Sequence, residues 1–455
     1  MISTAVINIV GLSKKLIGAN TPFLNKWLKN KSLSVIEPVL PAVTCSAQST
    51  YLTGKYPKDH GIVANGWYFR DDCEVKLWRQ SNKLVQAPKV WDIAKQKDPN
   101  FTCANMFWWY NMYSNADYSV TPRPQYLADG RKMPDCYSHP ADLRDSLQSK
   151  LGTFPLFDFW GPRTSIKSSQ WIADASMFVH TKYNPTLTLV YLPHLDYCLQ
   201  KYAHNSEQVK KDLLEIDRLC EQLVEYFEKA GTEVMLLSEY GISEVNNPIH
   251  INRLLRENGL INIRTERGLE LLDAGASDAF AMADHQIAHI YVNNPDKLGL
   301  VKSILEKTPG IALVLDNEGK QKHHLDHYRA GELVVVADNS SWFTYYYWLD
   351  DQKAPDFART VDIHNKPGYD PVEMFFDPDK KLIMPRAMIK LLKKKMGFRV
   401  LMDLIPLDAT LVKGSHGSIN VPEGEMPIIM GNLDMKKSIK PTEVSDLILR
   451  NIFKT

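Results

Sequence analysis

The sequence predicts an α/β fold, a mostly parallel sheet covered by helices on both faces, with a second unit inserted late in the chain. Three observations carry this. The runs AVINIV (5–10), LTLVYL (187–192), EVMLLS (233–238), AHIYV (288–292) and ELVVVA (332–337) are continuously apolar, as in strands covered on both faces. A long helical pattern joins the second run to the third, and strand–helix–strand succession favours parallel pairing. The segment 242–380 lacks such alternation and holds most of the later histidines.

Taken in order, the opening MISTAVINIVGLSKK has neither a basic leader nor a small-residue cleavage site, so it reads as the first strand. Between 192 and 233, Leu213, Ile216, Leu219, Cys220, Leu223, Val224 and Phe227 recur at helical spacing; Asn205 or Ser206 supplies the cap and Gly231 the stop. Residues 242–380 read as an inserted cap domain over the sheet edge, and 1–241 with 381–455 as the core. DPDKKLIMPRAMIKLLKKK is expected to lead the chain back into that core, with the lysine run 391–395 and its Leu391 and Leu392 on a solvated helix face.

The chain has 455 residues, 44% hydrophobic and 24% charged, with a formal net charge of +1, which gives no electrostatic case for nucleic acid or an anionic membrane. No window approaches the length of apolar sequence a membrane span requires. The six cysteines are scattered, with no CxxC pair, which implies reduced thiols and a cytoplasmic protein.

Parallel sheets bind ligands at the carboxyl ends of their strands. That directs attention to Thr44 in PAVTCSAQST, to LPHLD after the second run and to SEYG after the third. Thr44 follows an expected strand end and precedes a helix beginning near Ser46. A hydroxyl there faces free backbone N–H groups and the positive end of the helix dipole, which suits phosphate. Taken alone, such a Thr reads as a helix cap.

The string TCSAQSTYLTGKYPKDHGIVANGWYFRD, however, resembles the nucleophile region of the type I phosphodiesterase and nucleotide pyrophosphatase branch of the alkaline phosphatase superfamily. Thr53, Gly54, Pro57, His60, Gly61, Ile62 and Asn65 fall on that pattern. A weaker resemblance, shared with phosphonoacetate hydrolases, runs along the rest of the chain. It implies an alkaline-phosphatase-like sheet, Thr44 as the nucleophile on phosphorus and Asn65 as a donor to a phosphoryl oxygen. His60 reads as a structural residue of its turn.

The resemblance also implies one or two divalent metal ions, usually zinc, and here the sequence departs from the pattern. GSHGS (414–418) keeps the ligand His416, and Asp196 is kept, but Gln200 stands where a His is expected one turn later. SEYG replaces the expected DHG, so Glu239 and Tyr240 stand for Asp and His. Val10 takes the place of the first-strand Asp, with Asn8 a substitute on the same strand face. This oxygen-rich set suits Mg²⁺, Mn²⁺ or Ca²⁺ better than zinc and argues against a conventional dizinc centre. Asp284 with His285, or His194 or His204, are alternative sources of a ligand.

His285, His289 and His327 are candidate substrate-binding residues, and the aromatic blocks 107–113 and 341–348 read mainly as core, with a ring or two for a flat ligand. The reading is a metal-assisted hydrolase or transferase of a phosphoester, pyrophosphate or phosphonate. Its partner is a small phosphorylated or phosphonate substrate, with no nucleic acid and no membrane span. Two rivals stand beside it: a ligand-binding pseudoenzyme on a phosphatase scaffold, and a metal-independent enzyme using Tyr240 as proton donor.

Overall fold

A computed structural model describes residues 1–454. Its centre is a nine-stranded sheet in the order Ser438–Ile439, Ser32–Ile36, Ile428–Gly431, Glu233–Leu237, Thr4–Ile9, Leu187–Leu192, Cys103–Met106, Tyr118–Pro122, Cys136–His139. The middle strands are parallel: Asn8 lies opposite Tyr191 on one side and Leu237 on the other. Antiparallel pairing enters where Ile428–Gly431 inserts beside Glu233–Leu237 and where Cys136–His139 closes the far edge.

Every residue of Thr4–Ile9 and Leu187–Leu192 is buried, so both sheet faces are covered, as their unbroken apolar runs require. The helices Ile166–Tyr183 and Glu207–Lys229 pack together and against the central strands, while Glu443–Phe453 packs with Thr44–Thr53 and Val90–Lys97. Glu207–Lys229 buries its apolar stripe and is capped by Ser206, whose hydroxyl accepts from the Val209 N–H. Its Asp217 reaches out to accept from the Phe23 and Leu24 N–H groups at the start of Pro22–Trp27. One buried carboxylate thus fixes two helices.

The runs AHIYV and ELVVVA form strands, but not in this sheet. They lie in a separate four-stranded antiparallel sheet, ordered Ala279–Asp284, Ile287–Val292, Leu333–Ala337, Ile311–Leu315. A continuous apolar run shows burial on both faces and cannot reveal which sheet supplies it. Ile62, Val63, Ala64, Trp67 and Tyr68, which precede the insertion, pack into the core of this second unit.

Two expectations fail locally. The strand before Thr44 ends at Ile36, and 37–43 is irregular with Val43 as helix N-cap, because Pro38 and Pro41 have no N–H to give a ladder. The segment after 380 does not return to the core: Ile383–Lys395 is a helix buried only at Ala387, and the chain re-enters the sheet at Ile428. The aromatic block Trp342, Tyr345, Tyr346, Tyr347 and Trp348 is wholly interior, so its rings belong to packing.

Candidate active site

Strand ends and the turns after them bring the candidate residues together. Asn8 is near the end of the first strand, and Glu239 with Tyr240 follows Glu233–Leu237 beside it. Asp196 and Gln200 are one turn apart on the helix His194–Lys201, so they share a face. Thr44 opens the helix Thr44–Thr53, and His416 follows the short strand Gly414–Ser415. Close backbone approach makes this possible. A Cβ at Gly241 would lie 1.5 Å from the Glu425 carbonyl oxygen, and one at Gly414 would lie 2.2 Å from that of Leu199. Glycine is required at both places.

The Tyr240 hydroxyl lies at the centre. It donates to Asp196 Oδ1 at 3.1 Å and lies 3.0 Å from Thr44 Oγ1. A phenol has one hydrogen; with that hydrogen on Asp196, the Thr44 hydroxyl donates to the phenol oxygen. The result is a directed chain from Thr44 through Tyr240 to Asp196. Burial pushes the Asp196 carboxyl up to about 7, while its hydrogen bond from Tyr240 acts the other way.

Glu239 occupies the opposite side. Its Oε2 accepts from Asn8 Nδ2 and Gln48 Nε2, both at 2.8 Å, and burial raises it to about 8. Gln48 is itself held by the Trp109 N–H, which donates to Gln48 Oε1 at 2.7 Å. On the third side, Asn65 is clamped by Asp284. Its backbone N–H donates to Asp284 Oδ2 at 2.8 Å and its Nδ2 to Oδ1 at 3.1 Å, while its own Oδ1 accepts from the Cys45 N–H. The first turn of the Thr44 helix is thereby tied to the cap. His285 Nδ1 donates to Asp284 Oδ1 at 2.7 Å, and burial holds its imidazole neutral.

Four rings form a ladder across the site. Tyr240 stacks on His416 with centroids 3.6 Å apart, His416 lies 3.7 Å from His285, and His285 lies 3.6 Å from Tyr369. The Tyr369 hydroxyl donates to Gln200 Oε1, which turns this amide oxygen toward the ladder. Thr44, Glu239, Tyr240 and His416 are all buried.

The donor set fits a hard cation better than paired zinc ions. His416 donates Nδ1–H to the Ala42 carbonyl, leaving Nε2 bare, 3.6 Å from Asp196 Oδ1. Glu239 Oε1, Asn8 Oδ1 and His416 Nε2 are buried acceptors without a donor, an arrangement that suits a cation. Two of the three are oxygens and one is an imidazole nitrogen, which is poor for two tetrahedral zinc sites. Among the described residues, the group of His, Asp and Glu side chains spaced to share an ion is His194, Asp212 and Glu215, outside this cluster. His194 thus faces the long helix instead of substituting near Asp196, and the His204 N–H donates to Glu244 Oε1.

Two expected substrate-binding histidines are elsewhere. His289 uses Nε2 on the Val63 carbonyl and Nδ1 on the Gly331 N–H, so both ring nitrogens are engaged within the cap core. His327 pairs with Gln86 and accepts from the Arg329 N–H in the loop that braces Gly61. His60 is structural as expected: it accepts from the Ile62 N–H and meets Thr50 Oγ1, and burial lowers it to about 3. Sequence reasoning missed Gln48 and Tyr369. Gln48 had a signal, standing four residues after Thr44 on the same helix face. Tyr369 had none, since only the cap fold, which seats its N–H on the Ala283 carbonyl, brings it to the site.

Comparison with known proteins agrees with the fold. A pyrophosphatase/phosphodiesterase of Saccharomyces cerevisiae (ectonucleotide pyrophosphatase/phosphodiesterase 1) is 25% identical over 280 residues, 54% of this chain and 35% of that one. The chain spans less than half the length of the curated relatives it matches. Murine ectonucleotide pyrophosphatase/phosphodiesterase 5, in an inactive form complexed with AMP, superposes with a TM-score of 0.59 at 14% identity, covering 100% of this chain and 95% of that one. Phosphonoacetate hydrolase from Sinorhizobium meliloti 1021, complexed with phosphonoformate, gives 0.62 at 13% identity, covering 98% and 94%. The type I phosphodiesterase / nucleotide pyrophosphatase family matches residues 4–370, and the chain belongs to that family.

Proposed function

We propose that this protein hydrolyses, or transfers the phosphoryl group of, a small phosphoester, pyrophosphate or phosphonate, with Thr44 as nucleophile. The observation that carries the reading is the hydrogen-bond chain from Thr44 through Tyr240 to Asp196. Thr44 Oγ1 attacks phosphorus as the bond to the leaving group breaks. Its proton passes to the Tyr240 oxygen while the Tyr240 proton passes to Asp196. A carboxylate titrating near about 7 is a competent base at neutral pH, whereas an unassisted Thr hydroxyl is not. The phosphothreonine is then cleared by water or another acceptor, and the same chain run backwards returns the proton to Thr44 as its bond to phosphorus breaks.

Asn65 Nδ2 has two hydrogens, one on Asp284, which leaves the other for a phosphoryl oxygen. Such a donor is worth roughly 3 kcal/mol in comparable sites. Asn8, Glu239 and His416 carry the lone pairs that would hold one or two divalent cations. A bound cation supplies charge stabilisation for the phosphoryl oxygens.

One observation favours a second reading, a ligand-binding protein that has given up turnover. The ring ladder lies across the site, and Thr44 is buried. The test is a panel of phosphodiesters, pyrophosphates and phosphonates offered to wild type and Thr44→Ala with Mg²⁺, Mn²⁺, Ca²⁺ or zinc. Turnover lost in Thr44→Ala supports the hydrolase. Binding without turnover in both proteins supports the second reading.

A further inference from the structure

The helix Ile383–Lys395 is amphipathic with its apolar side turned outward. Ala387 is its buried position, and Lys390 joins it to the body by donating to the Leu401 carbonyl and to Asp403. At 100° per residue, Met388, Ile389 and Leu392 fall on the side away from Ala387 and Lys390, and the exposed Met384 and Leu391 flank it. They are open to water: Met388 is 61% and Leu392 58% exposed, and the surface continues through Met396 and Phe398, the latter 62% exposed. An outward apolar patch of this kind marks an interaction surface.

Charge identifies the occupant. Residues 380–401 hold eight Lys and Arg and no Asp or Glu, although the whole chain is close to neutral. We propose that this segment is an in-plane membrane helix that docks the protein on a bilayer rich in anionic lipid. Outward apolar side chains enter the headgroup boundary while Lys393, Lys395 and Arg386 reach lipid phosphates at its edges. Thirteen residues make about 20 Å of helix, too short to span a bilayer, and among the described residues no helix is long and apolar enough to cross one. A second copy seated on the same face would bring two eightfold positive segments together. Nucleic acid would require the basic side outward, where this helix shows methionine and leucine.

The proposal is independent of the chemistry at Thr44. It is tested by co-sedimentation of the full chain with phosphatidylcholine vesicles, with and without phosphatidylserine, in rising salt. The wild type is expected to pellet with phosphatidylserine vesicles and to be released by salt. Neutralising Lys393 or Lys395 to Gln is expected to lower partitioning about fivefold each. Met388→Glu/Leu392→Glu, at exposed positions that leave the folded core untouched, is expected to remain in the supernatant. A wild type that pellets with neither vesicle, or a double variant that binds as well as wild type, overturns the proposal. A lipid-free dimer seen by sedimentation velocity and lost in the double variant also overturns it, in favour of self-association.

Discussion

Replacing Tyr240 with Phe removes one oxygen from the centre of the site and almost nothing else, since the ring keeps its stack on His416. Thr44 and Asp196 would then have no link, because each meets the other only through that hydroxyl. A positioned proton acceptor contributes about 10²–10⁴-fold, so the barrier should rise by about 3–5 kcal/mol. Asp196 Oδ1 would also lose its donor inside the protein, at about 1–3 kcal/mol of stability. The assay is kcat/KM against pH on the best phosphodiester, with the thermal midpoint measured in parallel. In the wild type, kcat/KM should climb as Asp196 ionises near about 7; in Tyr240→Phe it should be flat and low. A variant with undiminished kcat/KM and the same alkaline climb would refute the proton chain, whatever its stability.

Three further outcomes follow from the same contacts. Asp196 and Glu239, raised by burial to about 7 and about 8, hold protons in the folded state that the unfolded chain has released. Stability without cations should therefore fall as pH rises from about 4 to about 8, by up to ~4 kcal/mol per group. Added Mg²⁺ or Mn²⁺ should raise the thermal midpoint most at the alkaline end; a midpoint insensitive to both pH and cation would contradict the burial argument. Gln200→His returns an imidazole to the face of Asp196 beside His416 and should increase zinc uptake over wild type, measured by elemental analysis. Gly414→Ala forces a Cβ against the Leu199 carbonyl, prising His416 from Asp196, and should cost about 1–3 kcal/mol in a denaturant titration.

The site was more legible in the sequence than the path of the chain around it. Asp196, Glu239, Tyr240 and His416 follow strand ends within a few residues, which leaves them little freedom to be elsewhere, and Thr44 opens a helix that its own motif marks. The substitution of Tyr for His told that the expected ligand was missing. It did not tell that a phenol, reaching further than an imidazole, would bridge Thr44 and Asp196. His289 misled because its spacing from His285 placed both before a strand, yet pleating points adjacent and alternate residues of Ile287–Val292 to places only the cap sheet defines. Asp284 and His285 lie at the end of Ala279–Asp284 and in the turn after it, where the cap meets Asn65. The helix at 383–395 was legible as a helix, but the pattern could not say which side would face the protein. Lys390 and Asp403, a contact across a loop, decide that.

The most direct test is the stereochemical course at phosphorus, measured with a chiral phosphorothioate diester hydrolysed in oxygen-labelled water. Attack by Thr44 followed by attack of water inverts phosphorus twice, so the account predicts overall retention, with no turnover in Thr44→Ala. Inversion would mean that water attacks phosphorus directly, and Thr44 would lose its place as the nucleophile.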